Sequence, residues 1–75
     1  MQIHVKLMGA LKEKEPPKGV LKVSEDATIE MVLGQLEITP QQVQIVMVNS
    51  RPQPNRTVVV NANDELTILA PVGGG

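Results

Sequence analysis

The part of this chain best suited to chemistry is its end, Gly73, Gly74 and Gly75. Three glycines after a strand have no side chains to pack, so we expect them to project as a flexible arm. Such an arm can enter a channel too narrow for any Cβ atom. Gly75 would carry an ionised carboxylate, with a pKa of about 3.3–3.7 in model peptides, able to attack an activated phosphate. The alternative is a tail without a function.

The side chains offer little chemistry of their own. The 75 residues include no cysteine and a single histidine, His4. This composition excludes thiolate ligands, a histidine-rich metal site and a cysteine–histidine pair. Asp64 and Glu65 are adjacent, but successive strand positions point to opposite faces. We therefore expect no metal site, no bound cofactor and no self-contained enzyme.

Charge and composition also restrict the partners. Seven Lys or Arg residues against eight Asp or Glu residues give a net charge of −1, and aromatic residues are absent. A surface for nucleic acid is therefore not expected. The lysines between Lys12 and Lys22 alternate with Glu13 and Glu15, which favours a solvated loop over a phosphate site. The sequence shows neither a signal peptide nor an apolar run of the roughly 20 residues that a membrane span needs. We expect a cytoplasmic protein without membrane contact.

The spacing of apolar residues predicts the elements that must position the tail. Ile3, Val5 and Leu7 alternate with polar residues, as in a half-buried strand. Further strands are expected at 20–23, 43–48, 57–60 and 66–70, with turns at 49–50 and 61–64. A polar, mobile loop is expected at 9–18, where Pro16 and Pro17 interrupt the chain.

One helix is predicted between the second and third strands. Its apolar positions, which are spaced to share one face, are Ile29, Val32, Leu33 and Leu36. Thr28 is suited to cap the first turn, and Met31 is expected to fill an edge of the core. The order of elements predicts an α+β fold, a mixed sheet crossed by one helix in a β-grasp arrangement. A crossover then places the first and last strands side by side. The domain would span residues 1–72 and the tail residues 73–75.

The last strand suggests where a partner would dock. Alternation turns Leu69 and Thr67 away from the core. With whichever of Ile45 and Met47 faces outward, they would form an exposed apolar patch beside the tail. Arg51 and Arg56 would form its rim. The alternative is that these are scattered surface residues.

Five segments follow one another in a distinctive order: VKLMG at 5–9, ATI at 27–29, MVNSRP at 47–52, NDEL at 63–66 and PVGGG at 71–75. Together they resemble the MoaD/ThiS family of ubiquitin-like sulfur carriers, and the resemblance covers essentially the whole chain. Two positions depart from the family pattern. Met8 stands where a phenylalanine is usual, which affects packing, and Asn63 stands where glycine is usual. Asparagine tolerates the left-handed backbone angles that glycine supplies, so we expect the turn to survive.

The resemblance implies a route for sulfur. A ubiquitin-activating-type enzyme would use ATP to adenylate the carboxylate of Gly75 while Gly73 and Gly74 thread into that partner. A sulfur donor would then displace AMP to leave a thiocarboxylate, which a downstream synthase consumes. The chain would be a carrier and co-substrate in cofactor biosynthesis, with the molybdopterin branch favoured and the thiamine branch next. The alternative is a ubiquitin-like interaction or conjugation module whose tail is not a sulfur donor.

Overall fold

A computed structural model of the chain describes residues 1–71, which form a five-stranded sheet and one helix. The strands are β1 (Gln2–Met8), β2 (Val20–Lys22), β3 (Ile45–Val48), β4 (Arg51–Pro52) and β5 (Glu65–Leu69), and the helix is α1 (Ile29–Gln35). The strand order is β2-β1-β5-β3-β4. β1 pairs with β5 in parallel, and the remaining pairs are antiparallel. The predicted mixed sheet, its crossing helix and the pairing of the first and last strands are confirmed.

One face of the sheet and one face of α1 enclose the core. The strands alternate between buried and exposed positions as predicted, with Leu7, Leu66 and Ile68 fully buried. The buried positions of α1 are those of the predicted face, Ile29, Val32 and Leu33. Because every second strand residue points away from this core, the opposite face of the sheet is left to solvent.

The start of α1 is capped as predicted. The hydroxyl oxygen of Thr28 accepts a hydrogen bond from the backbone N–H of Met31 at 3.3 Å. The expectation that Met31 fills the edge of the core is wrong, because its side chain is 52% exposed on the outer side of the helix. Its position off the apolar face of the helix explains this exposure.

The prediction of a strand at 57–60 is wrong. That segment runs beside the start of α1, where Val60 N–H donates to the carbonyl of Ala27 at 2.9 Å, and it forms only an isolated bridge between Val59 and Thr28. The short strand between β3 and β5 is β4 (Arg51–Pro52) instead. It follows a two-residue turn at 49–50 in which both residues have positive φ, 51° and 69°, as in the tight turns that suit a twisted hairpin.

The connection between β1 and β2 is more ordered than predicted. It contains two 3-10 turns, Gly9–Lys14 and Pro17–Gly19, and Leu11 is buried within it. Its carboxylate Glu15 accepts a hydrogen bond from the backbone N–H of Leu7 at 3.0 Å and lies 3.3 Å from the ammonium group of Lys12. The first contact and then the second lower the pKa of Glu15 below its ordinary value of 4.5. β2 pairs only with residues 2–4 of β1, so the N–H of Leu7 has no partner there. The Glu15 carboxylate accepts the hydrogen bond from this N–H instead.

Candidate functional site

The end of β5, from which the chain continues towards the tail, lies at the centre of the sheet, and we call this point the exit. β5 lies between β1 and β3, and its last residue, Leu69, is in register with Met8 on one side and Ile45 on the other. The carbonyl of Leu69 also accepts a hydrogen bond from the N–H of Gln44 at 2.8 Å. The exit is therefore held from both sides. The described chain ends at Pro71, so the predicted reactive residues 73–75 lie outside the described residues.

Three apolar side chains lie across the sheet at this exit, and we call Met8, Leu69 and Ile45 the outer row. Their chain neighbours Leu7 and Ile68 are fully buried, so alternation turns the outer row to the solvent face. Met8 and Ile45 are each 41% exposed, and Leu69 is half-buried between them. An exposed apolar row at the point where the chain leaves the sheet is suited to bind a partner.

The next row of the same face is more polar. It contains Lys6, Thr67 and Met47, which are in register with one another across β1, β5 and β3. Ile45 and Met47 therefore both face outward, and the structure brings Leu69, Thr67 and Met47 together as the sequence suggested. Their role in docking stays a prediction.

The two arginines proposed as a rim are placed differently from each other. Arg51 is in register with Val48, which is itself paired with the fully buried Leu66. Its position therefore belongs to the helix-facing side of the sheet, away from the outer row. Arg56 is half-buried and lines a shallow groove of about 290 Å³ together with Ile45. Only Arg56 thus borders the outer row.

Met8 is a surface residue that the sequence analysis did not predict, because Met8 was interpreted as a packing residue in place of phenylalanine. In the structure it is exposed together with Gln2, His4 and Lys6, the other even positions of β1. The alternation that identified β1 already contained this signal. The core does not depend on Met8, because Leu7 supplies the buried contact at this end of the strand.

The adjacent acids Asp64 and Glu65 do not form a catalytic pair. The carboxylate of Asp64 accepts hydrogen bonds from the Asn49 side chain at 2.9 Å and from the Asn61 N–H at 2.8 Å. Glu65 lies on β5 in register with His4, on the solvent face. Asp64 therefore serves the turn before β5. Among residues 1–71, no three His, Cys, Asp or Glu side chains are grouped closely enough to hold a metal ion.

The lysine-rich loop borders a polar depression of about 420 Å³ beside the middle of β1. The charged side chains that line it are of both signs, with Lys6, Lys12 and Lys18 facing Glu15 and Glu65. This mixture agrees with a solvated surface. Within the described part of the chain, no helix is both long and apolar enough to cross a membrane.

A mixed five-stranded sheet crossed by one helix, with the first and last described strands paired in parallel, is the β-grasp arrangement of ubiquitin-like proteins. A model of the ThiS family matches residues 5–75, and the chain belongs to this family of ubiquitin-like sulfur carriers. Among curated proteins, no match was found.

Solved structures show the same fold at low sequence identity. Small archaeal modifier protein 1 of Haloferax volcanii is similar with a TM-score of 0.72 and 21% identity over 95% of this chain and 98% of that one. The complex of subunits 1 and 2 of molybdopterin-converting factor from Helicobacter pylori contains a similar chain, with a TM-score of 0.65 and 20% identity over 100% of both chains. At these identities the likeness concerns the fold.

Proposed function

We propose that this chain is a sulfur carrier whose Gly75 carboxylate is first adenylated and then converted to a thiocarboxylate. The observation that carries the proposal is the family match, which extends to Gly75 beyond the end of β5. A carboxylate oxygen of Gly75 attacks the α-phosphorus of ATP, and pyrophosphate leaves. Sulfide supplied by a donor then attacks the acyl carbon, the bond from that carbon to the bridging oxygen breaks, AMP leaves with this oxygen, and a thiocarboxylate remains.

In this role the sheet holds the end of β5 in place, and the tail that follows it carries the reacting group. Neighbouring strands hold β5 on both sides up to Leu69, so the point from which the tail departs is fixed. Gly73 and Gly74 have no Cβ atoms, and the adenylating enzyme can enclose them in a narrow channel. The carboxylate of Gly75 thus reaches the ATP bound in the enzyme while the domain stays outside. The partner performs the catalysis.

The outer row supplies the docking surface in this proposal. Met8, Leu69 and Ile45 lie at the tail exit, so a partner that covers them also receives the tail. Replacing the half-buried Leu69 by Glu would place a charge in the desolvated centre of this contact. We expect binding to the adenylating enzyme to weaken roughly a hundredfold, as for other interface centres. Met31→Glu is the matched control, because Met31 is an exposed apolar residue of the helix. Equal effects of the two substitutions would contradict docking through the outer row.

The receiving pathway is proposed to be molybdopterin synthesis, with thiamine synthesis next, and a cytoplasmic synthase takes up the sulfur. Residues 5–7, the loop at 12–18 and residues 71–72 resemble the molybdopterin branch, whereas the short helix resembles the thiamine branch. The similar chain of Helicobacter pylori is a subunit of molybdopterin-converting factor. A second candidate function is conjugation of Gly75 to lysines of other proteins. The observation that favours it is the similarity to small archaeal modifier protein 1.

The test is mass spectrometry of the chain after incubation with an adenylating enzyme, ATP and a sulfur donor. Replacing one carboxyl oxygen by sulfur adds about 16 Da, and oxidation of a methionine adds nearly the same mass. The tryptic fragment that follows Arg56, residues 57–75, contains the tail and no methionine. A gain of about 16 Da in that fragment therefore reports the thiocarboxylate. A remnant of the tail on lysines of other proteins, without this gain, would instead support conjugation.

A shortened chain provides the control. Deletion of Gly75 should abolish ATP turnover with the adenylating enzyme and leave the unfolding transition unchanged, because residues 1–71 already contain the sheet and helix. Gly34→Ala is the matched control for ATP turnover, because it changes a glycine of α1 that has open space around it and lies far along the chain from the tail. If the chain without Gly75 still supports ATP turnover, the tail is not the reacting group and the proposal is wrong.

A further inference from the structure

All the sulfur in this chain is in methionine. There are four methionines and no cysteine, so the oxidation of sulfur in this protein is the oxidation of thioethers. The two with large exposed fractions are Met8, 41%, and Met31, 52%. Met47 is half-buried on the same sheet face as Met8. One of the two most accessible thioethers therefore lies in the outer row, beside Leu69.

We infer that Met8 is an oxidation site that controls docking at the outer row, an inference that rests on the proposed carrier function. In the step itself, hydrogen peroxide transfers one oxygen atom to the thioether sulfur of Met8. The O–O bond breaks and an S–O bond forms, the sulfur is oxidised by two electrons, and the peroxide is reduced to water. No further reactant is required.

The oxidised side chain is unsuited to an apolar contact. A sulfoxide carries a strong hydrogen-bond acceptor where the thioether had only a weak one, so oxidation makes the methionine side chain polar. A partner that covers Met8, Leu69 and Ile45 would have to remove water from that acceptor. An acceptor left without a partner in a dry interface weakens binding by roughly ten- to a hundredfold. Docking of the oxidised chain is therefore expected to fall by that factor.

Oxidation of Met8 should leave the fold intact. Met8 is the last residue of β1 and its side chain lies on the solvent face, whereas the core contact at this end of the strand comes from Leu7, which is fully buried. The change is thus confined to the surface that meets the partner. Met31 supplies an internal control, because it is even more exposed but lies on α1, across the core from the outer row.

The experiment treats the full chain and its Met8→Leu and Met31→Leu variants with limited hydrogen peroxide. Tryptic peptides then locate the added oxygen. Residues 7–12 contain Met8 as their single methionine, and fragment ions separate Met31 from Met47 in residues 23–56. Two properties are compared before and after oxidation: the dissociation constant for the adenylating enzyme and the midpoint of thermal unfolding.

We expect Met8 and Met31 to be oxidised before Met47. Each chain is compared with its own untreated form, whatever the affinity of that form. Peroxide should weaken binding in the unmodified sequence and in Met31→Leu, should cause no such change in Met8→Leu, and should leave the unfolding midpoint unchanged in all three. The inference is wrong if oxidised Met8→Leu loses binding as much as the unmodified sequence, or if Met8 resists peroxide. Should the untreated chain bind no adenylating enzyme, the proposed function fails. If the untreated chain binds and oxidation of Met8 leaves that binding unchanged, the inference alone is wrong.

Discussion

The turn that joins β3 to β4 provides the sharpest test of how the sheet is held at the end opposite the tail. Asn49 has a positive φ of 51°. Its side-chain oxygen accepts from Glu65 N–H at 2.9 Å, and its side-chain nitrogen donates to Asp64 at 2.9 Å. Asn49 therefore shapes the turn and also connects it to the start of β5.

Asn49→Ala removes both side-chain hydrogen bonds. It also leaves in the left-handed region an alanine, which lacks the polar side chain that lets asparagine adopt this conformation. Each solvent-exposed hydrogen bond contributes about 0.5–1 kcal/mol, and the left-handed backbone costs alanine about 1 kcal/mol. The free energy of unfolding should fall by about 2–3 kcal/mol. For a domain of this size, that corresponds to a midpoint lowered by roughly 10–20 °C.

Asn49→Gly separates the two contributions, since glycine loses the hydrogen bonds but adopts positive φ readily. It should be about 1 kcal/mol more stable than Asn49→Ala, as measured by urea unfolding. Both variants should dock and react normally well below their midpoints, because Asn49 lies at the far end of β5 from Leu69. If the two variants are equally stable, backbone strain has no part in the effect. If both match the unmodified chain, the connection to Glu65 contributes nothing.

Three further predictions concern single residues. Gly34→Ala should raise the free energy of unfolding by up to about 1 kcal/mol in urea titrations, because a Cβ there meets nothing within 4 Å. Gly19→Ala should lower it, because Gly19 has a φ of +67° and its Cβ would lie 3.3 Å from the carbonyl of Val5; equal shifts in the two variants would contradict this reasoning. Glu15 has a pKa below the ordinary 4.5, so its stabilising effect is present above that pH and is lost as the pH falls through the folded-state pKa. Unfolding measured against pH should therefore show a smaller acid-induced loss in Glu15→Gln than in the unmodified chain, and parallel curves would refute the role of Glu15.

The sequence predicted the elements whose own periodicity is strong. The alternation of Ile3, Val5 and Leu7 and the spacing of Ile29, Val32 and Leu33 each place apolar residues on one face, and the structure buries all of them. These patterns are visible without knowledge of any neighbour. The pairing of the first and last strands also followed, because one crossover helix leaves few compact arrangements.

The remaining differences depend on neighbours that a sequence does not show. The segment 57–60 has strong strand composition, yet it lies beside the start of α1, where Val60 bonds to Ala27. Arg51 and Pro52 have weak strand composition, yet the turn at 49–50 returns them alongside β3. In both cases the available partner outweighed local preference. The outer row was only partly foreseen. Alternation predicted that Leu69 faces outward, but Ile45 lies in a continuous apolar run that hides the alternation, and Met8 was interpreted as a packing residue.

The central position of β5 has a consequence for how the chain folds. β1 with β2 and β3 with β4 form two separate pairs, and β5 alone joins them. Since β5 is the last strand of residues 1–71 and pairs with β1, the first, the contacts that join the two pairs span almost all of the described residues, a topology associated with slow folding. Leu69 is part of β5, so the outer row does not exist until this last strand is inserted. A partner that recognises the row therefore recognises only chains that have finished folding.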